Sequence, residues 1–277
     1  MCWPRWSPTP VTPCWSPAVA DRGPVETVIY GQDNPVRQTL DVWYPASDEP
    51  ELAVMVIHGG GLRSLDRHRM AGVAGWLATQ GYLVINLGYR LVQDAPYPAA
   101  IDDILSAHAW SETHTRGVGK GLVLLGASAG GFLAMTAAAR LPAGSVAGVV
   151  SISGPTGRYP TEQGLPVAAS AIPADLHGPI DLLTGDYPPL LTIHSRQDTI
   201  VPVEASLAVT RRAESLGVPA CCMTFNSTRN DHGIWSDPDQ PAPRLLPAIE
   251  ARLAAFLQRV ADSSENPNPT LTLEPHA

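Results

Sequence analysis

Short apolar runs alternate along the chain with longer stretches whose apolar residues recur at helical spacing. Runs bounded by Gly, Pro or polar residues predict buried strands, and the longer stretches predict helices. We place strands near 25–30, 39–44, 53–58, 83–87, 122–125, 146–152, 190–194 and 220–225, and helices near 66–80, 98–114, 129–140, 203–216 and 244–261. The alternation of strands with helices predicts an α/β fold, with a mostly parallel eight-stranded sheet and helices on both faces.

A sharp break follows the apolar run at 122–125, where the sequence reads G-A-S-A-G at 126–130. An alanine-rich helical pattern comes next, so Ser128 lies where a buried strand turns into a helix, which is the context of a nucleophile elbow. The small residues Gly126 and Gly130 let such a turn close tightly and hold the serine in a strained conformation. An ordinary glycine-rich turn is the alternative, but strand, motif and helix together favour Ser128 as a nucleophile.

The apolar run at 52–57 ends in a second motif, H-G-G-G at 58–61. Glycines let backbone N–H groups approach a developing oxyanion without interference from side chains. We therefore predict that Gly60 and Gly61 donate to an oxyanion, with Ala129, the residue after the nucleophile, as the third donor. A simple glycine turn is the alternative interpretation.

Two strand ends downstream of Ser128 supply an acid and a base. Asp198 follows the apolar run at 190–194, and His232 follows the strand predicted at 220–225 and a short polar loop. A carboxylate beside an imidazole fixes its tautomer and stabilises the imidazolium that forms when the serine proton is taken. The sequence thus predicts a catalytic triad of these three residues, and a turn cap is the alternative role for Asp198.

The remaining histidines and acids fit these roles less well. His58 precedes the nucleophile, whereas the order in nucleophile-elbow enzymes is serine, acid, histidine, so we expect it to brace the glycine loop. His194 lies within a predicted strand and is expected to be a packed, hydrogen-bonded core residue. The alternative acids are Asp231, a sequence neighbour of His232, and Glu204, which is typical of a first-turn helix charge.

These motifs resemble those of α/β-hydrolases of the esterase and lipase superfamily that carry an H-G-G-G oxyanion loop. The resemblance covers residues 25–260, and it is to small bacterial feruloyl-esterase-like carboxylesterases in particular. The motifs that carry it are L-D-V-W-Y-P at 40–45, Y-R-L at 89–91, Y-P-A-A-I-D-D at 97–103, G-A-S-A-G-G at 126–131 and D-T-I-V-P at 198–202. Ala127 departs from the hormone-sensitive-lipase pattern, which carries Asp at that position.

The resemblance implies an α/β-hydrolase fold and a serine carboxylesterase that hydrolyses small esters through an acyl-enzyme. An arylformamidase-type amidase with the same triad is one alternative, and a non-catalytic binding protein with a hydrolase fold is another. A small-molecule ester is the expected partner, and the oligomeric state is left open.

A long segment at 154–187 interrupts the alternation of strands and helices. It is rich in Gly and Pro and joins two core strands, so we interpret it as a short cap over the site, with a solvated connector as the alternative. Leu165, Ile172 and Leu176 within it are predicted to contact substrate. Leu62 and Trp235, outside the cap, are predicted to do the same, although Trp235 could equally anchor the loop of His232.

Composition narrows the remaining function classes. The chain has 277 residues, 44% of them hydrophobic, which is enough for one catalytic domain, expected at 25–261. A net charge of −8 and the lack of a dense basic run argue against nucleic acid or an anionic membrane as a partner. The sequence has no zinc-ligand spacing, P-loop or dinucleotide fingerprint, so no metal and no cofactor are expected.

The two ends of the chain differ in composition from the predicted domain. The extension at 1–24 holds three tryptophans and six prolines, but no apolar stretch long enough for a signal peptide or a membrane span. Cytoplasmic residence is therefore expected. The extension is read as a disordered arm, with an ordered flap or a mistaken start site as alternatives, and the polar tail at 262–277 is expected to be flexible.

Overall fold

A single eight-stranded sheet organises the computed structural model, which describes residues 26–46, 50, 52–114, 121–157, 178–227 and 232–265. The strands are β1 (Glu26–Ile29), β2 (Thr39–Trp43), β3 (Ala53–Ile57), β4 (Leu83–Leu87), β5 (Leu122–Ala127), β6 (Gly148–Ile152), β7 (Leu190–Ser195) and β8 (Ala220–Phe225). Their order is β1-β2-β4-β3-β5-β6-β7-β8. Strand β2 runs antiparallel to both of its neighbours, β1 and β4, and the other pairs are parallel. The predicted mostly parallel eight-stranded α/β fold is confirmed.

Helices cover both faces of the sheet. They are α1 (Ala71–Thr79), α2 (Ala99–His114), α3 (Ala129–Ala138), α4 (Pro179–Leu182), α5 (Val203–Ser215) and α6 (Pro247–Glu265). Successive strand side chains point to opposite faces, so Met55 joins a core layer with α2, α3 and α5, whereas Val54 and Val56 join a second layer with α1 and α6. Strands buried on both faces explain the continuous apolar runs of the sequence.

Three elements differ from the sequence prediction. The helix predicted at 66–80 is divided into a 3-10 turn, Arg67–Met70, followed by α1. The helix predicted from 244 begins at Pro247, because the preceding residues pair with a neighbouring segment, where the Leu246 N–H donates to the Ile234 carbonyl. The short helix α4 was not predicted, and it lies in the segment interpreted as a cap.

The parallel strands place the predicted chemistry at one edge of the sheet. The H-G-G-G motif follows β3, Ser128 follows β5, Asp198 follows β7, and His232 comes after β8. Since β3 and β5 are adjacent in the centre of the sheet, the loop and the serine leave neighbouring strand ends. In open α/β sheets, ligands bind outside the carboxyl ends of such strands.

Parts of the predicted organisation fall outside the described residues. These are the extension at 1–24, residues 158–177 of the predicted cap, and the tail beyond 265. The proposed domain boundaries accordingly stay predictions. None of the helices in the described ranges combines the length and apolar character needed to cross a membrane.

Candidate active site

Ser128 occupies a sharp turn between β5 and α3. Its φ of 54° and ψ of −123° lie in a region that side chains other than glycine rarely adopt. The Ser128 N–H donates to the Ile152 carbonyl at 2.7 Å, which ties the turn to the end of β6. The strained strand-to-helix turn predicted from the sequence is therefore present.

Two glycines are required for this turn to close. A Cβ atom placed on Gly126 would lie 2.0 Å from the Gly130 carbonyl oxygen. One placed on Gly130 would lie 2.2 Å from the carbonyl oxygen of Ile57, at the end of β3. Both distances are far below van der Waals contact, so a side chain at either position would push the helix away from the sheet and displace Ser128.

A continuous series of hydrogen bonds links the three residues predicted as a triad. Ser128 Oγ lies 3.0 Å from His232 Nε2, and His232 Nδ1 lies 2.7 Å from Asp198 Oδ2. Donation of the Nδ1–H to the carboxylate leaves Nε2 as the acceptor for the serine hydroxyl. The His232 side chain is 17% exposed and that of Asp198 is fully buried. The structure thus brings the three residues together, with the imidazole reaching solvent and the carboxylate shielded.

The alternative acids do not take this place. Glu204 lies exposed in the first turn of α5, as predicted for a helix-start charge. Asp231 falls outside the described residues.

The Asp198 carboxylate accepts hydrogen bonds at both oxygens. Oδ1 accepts the backbone N–H groups of Ile200 and Val201, each at 2.9 Å. Oδ2 accepts from His232 and also lies 3.2 Å from Nε2 of His194. Burial raises the pKa of Asp198, but the hydrogen bonds from His194, His232 and the Val201 N–H lower it by more, so the pKa lies well below its usual range. Asp198 is therefore ionised at any pH near neutrality.

The loop that carries His232 is anchored through the residues that follow this histidine. Ile234 is buried, and Trp235 pairs with Leu245 in a single antiparallel bridge. The Arg69 guanidinium lies over the Trp235 ring, 5.2 Å from its centroid, and donates to the carbonyls of two further residues of the same loop. Of the two roles considered for Trp235, this packing favours the loop anchor over the substrate contact.

The glycine loop after β3 lies directly against the nucleophile turn. A Cβ placed on Gly59 would lie 3.1 Å from Ser128 Cβ. Gly60 and Gly61 have φ values of 102° and 62°, which glycine adopts without strain. Among the described residues, no hydrogen bond is assigned to the N–H groups of Gly60, Gly61 or Ala129. The glycine loop thus lies beside Ser128, and the oxyanion roles of Gly60, Gly61 and Ala129 stay predictions.

The side chains of His58 and Tyr89 support the glycine loop through hydrogen bonds to its carbonyl groups. The two rings stack with their centroids 4.1 Å apart and their planes 11° from parallel. His58 Nδ1–H donates to the Gly59 carbonyl at 2.8 Å, and the Tyr89 hydroxyl donates to the His58 carbonyl at 2.9 Å. The prediction that His58 braces the loop is confirmed. Tyr89 was missed as its partner, although the Y-R-L motif directly after β4 was a signal.

One of the predicted substrate contacts, Leu62, is buried in the structure. Leu62 is 1% exposed and packs in the hydrophobic core, so the expectation that its side chain contacts substrate is corrected: it has no open surface to offer. Its φ of 62° turns the chain just after the glycines and directs the side chain inward. Leu165, Ile172 and Leu176 lie outside the described residues and stay predictions.

Comparison with known proteins agrees with this architecture. The model of the BD-FAE family matches residues 40–156. Among solved structures, a truncated carbohydrate esterase from gut microbiota superposes with a TM-score of 0.71 at 18% identity, covering 87% of this chain and 100% of the other. The carboxylesterase Cest-2923 from Lactobacillus plantarum gives a TM-score of 0.67 at 21% identity, over 80% and 92% of the two chains. The chain has the α/β-hydrolase fold.

Several sequence relatives of this chain are named as esterases or lipases. Esterase LipC of Mycobacterium tuberculosis is 28% identical over 225 residues, covering 68% of the chain and 55% of LipC. Ethyl acetate hydrolase of Pseudomonas putida is 36% identical over 123 residues, covering 41% of the chain and 36% of that protein. The chain thus spans about half of the length of LipC and less of the other.

The buried His58 makes the stability of this protein depend on pH. Burial lowers the pKa of His58 from 6.5 to about 4, so an unfolded chain takes up this proton at a higher pH than the folded chain does. The neutral His58 therefore stabilises the fold fully above about pH 6.5, and this stabilisation is lost as the pH falls to about 4. At about pH 4 we expect the free energy of unfolding to be lower by about 3 kcal/mol for this reason. Urea titrations at several pH values would measure this slope.

His58→Asn is the matched variant, because its side-chain amide can still donate to the Gly59 carbonyl and does not titrate. The difference between wild type and variant isolates the histidine, since Asp198, whose pKa is lowered, loses stabilising energy only below about pH 4. Equal slopes in the two proteins would show that His58 does not titrate in this window.

Proposed function

We propose that the chain is a serine carboxylesterase that hydrolyses small esters through an acyl-enzyme. The observation that carries the proposal is the hydrogen-bonded series from Ser128 through His232 to Asp198, next to a loop with unpaired N–H groups. This combination provides a nucleophile, a base of fixed tautomer and donors for a developing negative charge. Among the described residues no cluster of His, Cys, Asp or Glu could hold a metal ion, and this mechanism needs none.

Acylation begins when Ser128 Oγ attacks the ester carbonyl carbon while His232 Nε2 accepts the hydroxyl proton. The carbonyl oxygen becomes an oxyanion that accepts hydrogen bonds from the N–H groups of Gly60, Gly61 and Ala129. Asp198 stabilises the imidazolium through the bond at Nδ1. The bond to the alcohol oxygen then breaks, His232 returns the proton to that oxygen, and the alcohol leaves.

Deacylation repeats these steps with water as the nucleophile. His232 Nε2 takes a proton from water, and the hydroxide attacks the acyl carbon of the Ser128 ester. The oxyanion again forms between the same donors. When the tetrahedral intermediate collapses, the bond to Ser128 Oγ breaks, His232 returns the proton to Oγ, and the carboxylic acid is released.

The names of two similar proteins support short acyl groups in the substrates of this chain. One relative is named ethyl acetate hydrolase, and one neighbouring structure is titled an acetyl ester-xyloside bifunctional hydrolase. A net charge of −8 favours neutral over anionic substrates. We therefore propose neutral esters of small acids, with an acetyl or aromatic acyl group, as the substrate class.

A panel of matched esters and anilides tests this function. p-Nitrophenyl esters with acetyl, butyryl, octanoyl and benzoyl groups would be compared with p-nitroanilides of the same acids. We expect ester turnover to exceed anilide turnover by about 100-fold or more, because an amine must be protonated to leave. Among esters, kcat/KM should be largest for the short chains.

The other functions considered for this fold give different results in the same panel. Anilide turnover equal to or above ester turnover would support an amidase of the arylformamidase type. If neither class turns over above the rate seen with Ser128→Ala, the chain is a binding protein that uses a hydrolase fold.

A further inference from the structure

A second histidine contacts the acid of the proposed triad. His194 lies near the end of β7, four residues before Asp198, and is fully buried. Its Nε2 lies 3.2 Å from Asp198 Oδ2 and 2.8 Å from the Val201 carbonyl oxygen. Its Nδ1 lies 2.7 Å from Ser206 Oγ, on α5. Both ring nitrogens therefore have partners, and Asp198 Oδ2 contacts both His194 and His232.

The partners of His194 determine where its proton lies. Nε2 faces a carbonyl oxygen and an ionised carboxylate, which only accept hydrogen bonds, so Nε2 must carry a hydrogen. Ser206 Oγ can donate to Nδ1 of that tautomer. The Ser206 hydroxyl is compatible with this tautomer and holds the ring at Nδ1, so that the Nε2–H faces the Val201 carbonyl and Asp198.

With this contact, each oxygen of the Asp198 carboxylate faces two N–H groups. Oδ1 accepts two backbone N–H groups, and Oδ2 accepts from His232. The single Nε2–H of His194 is shared between the Val201 carbonyl, at 2.8 Å, and Asp198 Oδ2, at 3.2 Å. Rotation of the carboxylate away from His232 would break several buried hydrogen bonds at once and leave their donors unpaired.

We propose that His194 is a positioning residue, which, given the proposed function, holds the Asp198 carboxylate in the orientation that His232 needs. Ser206 belongs to the same arrangement because its hydroxyl holds the His194 ring at Nδ1. The hydrogen-bonded series that ends at Ser128 therefore begins inside the protein core, at α5. Neither residue takes part in the chemical step.

Two substitutions at the same position separate hydrogen bonding from packing. His194→Leu fills a similar volume without a donor, whereas the terminal amide of His194→Gln can donate from a position close to that of Nε2. We expect His194→Leu to lower kcat by about 10–100-fold with KM little changed, as for other residues that orient a reactive group from behind. His194→Gln should recover most of this loss.

A readout that does not depend on turnover separates this proposal from the proposed function. In protein labelled with ¹⁵N-histidine, the Nδ1–H of His232, assigned by its absence in His232→Gln, should give a downfield proton resonance protected from water. We expect this resonance in wild type and in His194→Gln, and its broadening or loss in His194→Leu. This result would hold even if no ester were a substrate.

Equal kcat in the Leu and Gln variants, or an unchanged His232 resonance in His194→Leu, would overturn the proposal and leave His194 a packing residue. If His194→Leu does not fold, Ser206→Ala provides a second test of the proposal, because it removes one oxygen and leaves the imidazole in place. It should lower kcat several-fold and broaden the same resonance, and an unaffected resonance in a folded Ser206→Ala protein would contradict the assignment.

Discussion

Replacing Ser128 with alanine is expected to lower kcat for ester hydrolysis by on the order of 10⁴- to 10⁶-fold while the protein stays folded. Alanine keeps the Cβ atom and hence the backbone turn, but it removes the oxygen that lies 3.0 Å from His232 Nε2. Without that oxygen no acyl-enzyme forms, and only the oxyanion donors and substrate binding remain. Steady-state kinetics and circular dichroism melts would measure the two effects separately.

Ser153 provides a matched control for this substitution. It follows the neighbouring strand β6, is fully buried, and has a φ of 52°, close to that of Ser128. Its hydroxyl makes no hydrogen bond to any described residue. Ser153→Ala should therefore keep activity near that of wild type, and an equal loss in both variants would mean that the strained turns, rather than the Ser128 hydroxyl, account for the effect.

His232→Ala is expected to be as damaging as Ser128→Ala, because the nucleophile and the base act as one unit. Asp198→Asn should cost somewhat less, about 10⁴-fold in kcat. The carboxylate accepts hydrogen bonds at both oxygens, and an amide nitrogen at either position would face a donor instead. His232 would then lose the partner that holds its proton at Nδ1.

A double variant tests whether Ser128 and His232 act together, and a substitution of a second carboxylate tests whether Asp198 is the acid that orients His232. Combining Ser128→Ala with His232→Ala should add little to either single change. Glu204→Gln, at the exposed start of α5, should leave kcat unchanged. A Glu204 or Asp231 variant more damaging than Asp198→Asn would show that another carboxylate orients the base.

Strand and helix types were predictable because burial on both faces of a parallel sheet leaves a strong local signal. The apolar runs before 58, 126 and 196 each became a central strand, and the breaks that follow became the loops of the candidate site. Boundaries were less accurate where contacts between distant segments decide them. The start of α6 is an example, since residues 244–246 could continue a helix but pair with 234–236 instead.

The predicted substrate contacts show a limit of sequence reasoning. Leu62 was chosen because it follows the oxyanion loop, but a positive φ turns its side chain into the core. Trp235 was chosen because it follows His232, yet Arg69, far away in sequence, holds its ring against the loop. Position next to a motif predicts proximity of the backbone, whereas the direction of a side chain depends on dihedral angles and partners that only the fold specifies.

The sequence by itself identified the residues of the candidate site: a serine in a glycine-flanked turn, a glycine loop, and an acid and a base after later strands. Motif spacing suffices for this because strand ends of a parallel sheet meet at one edge. Only the tertiary structure decided how that centre is supported. The stacking of Tyr89 on His58 and the contact of His194 with Ser206 join residues of different elements. Their sequence patterns are those of ordinary core positions, and such contacts arise from packing between elements that local sequence does not encode.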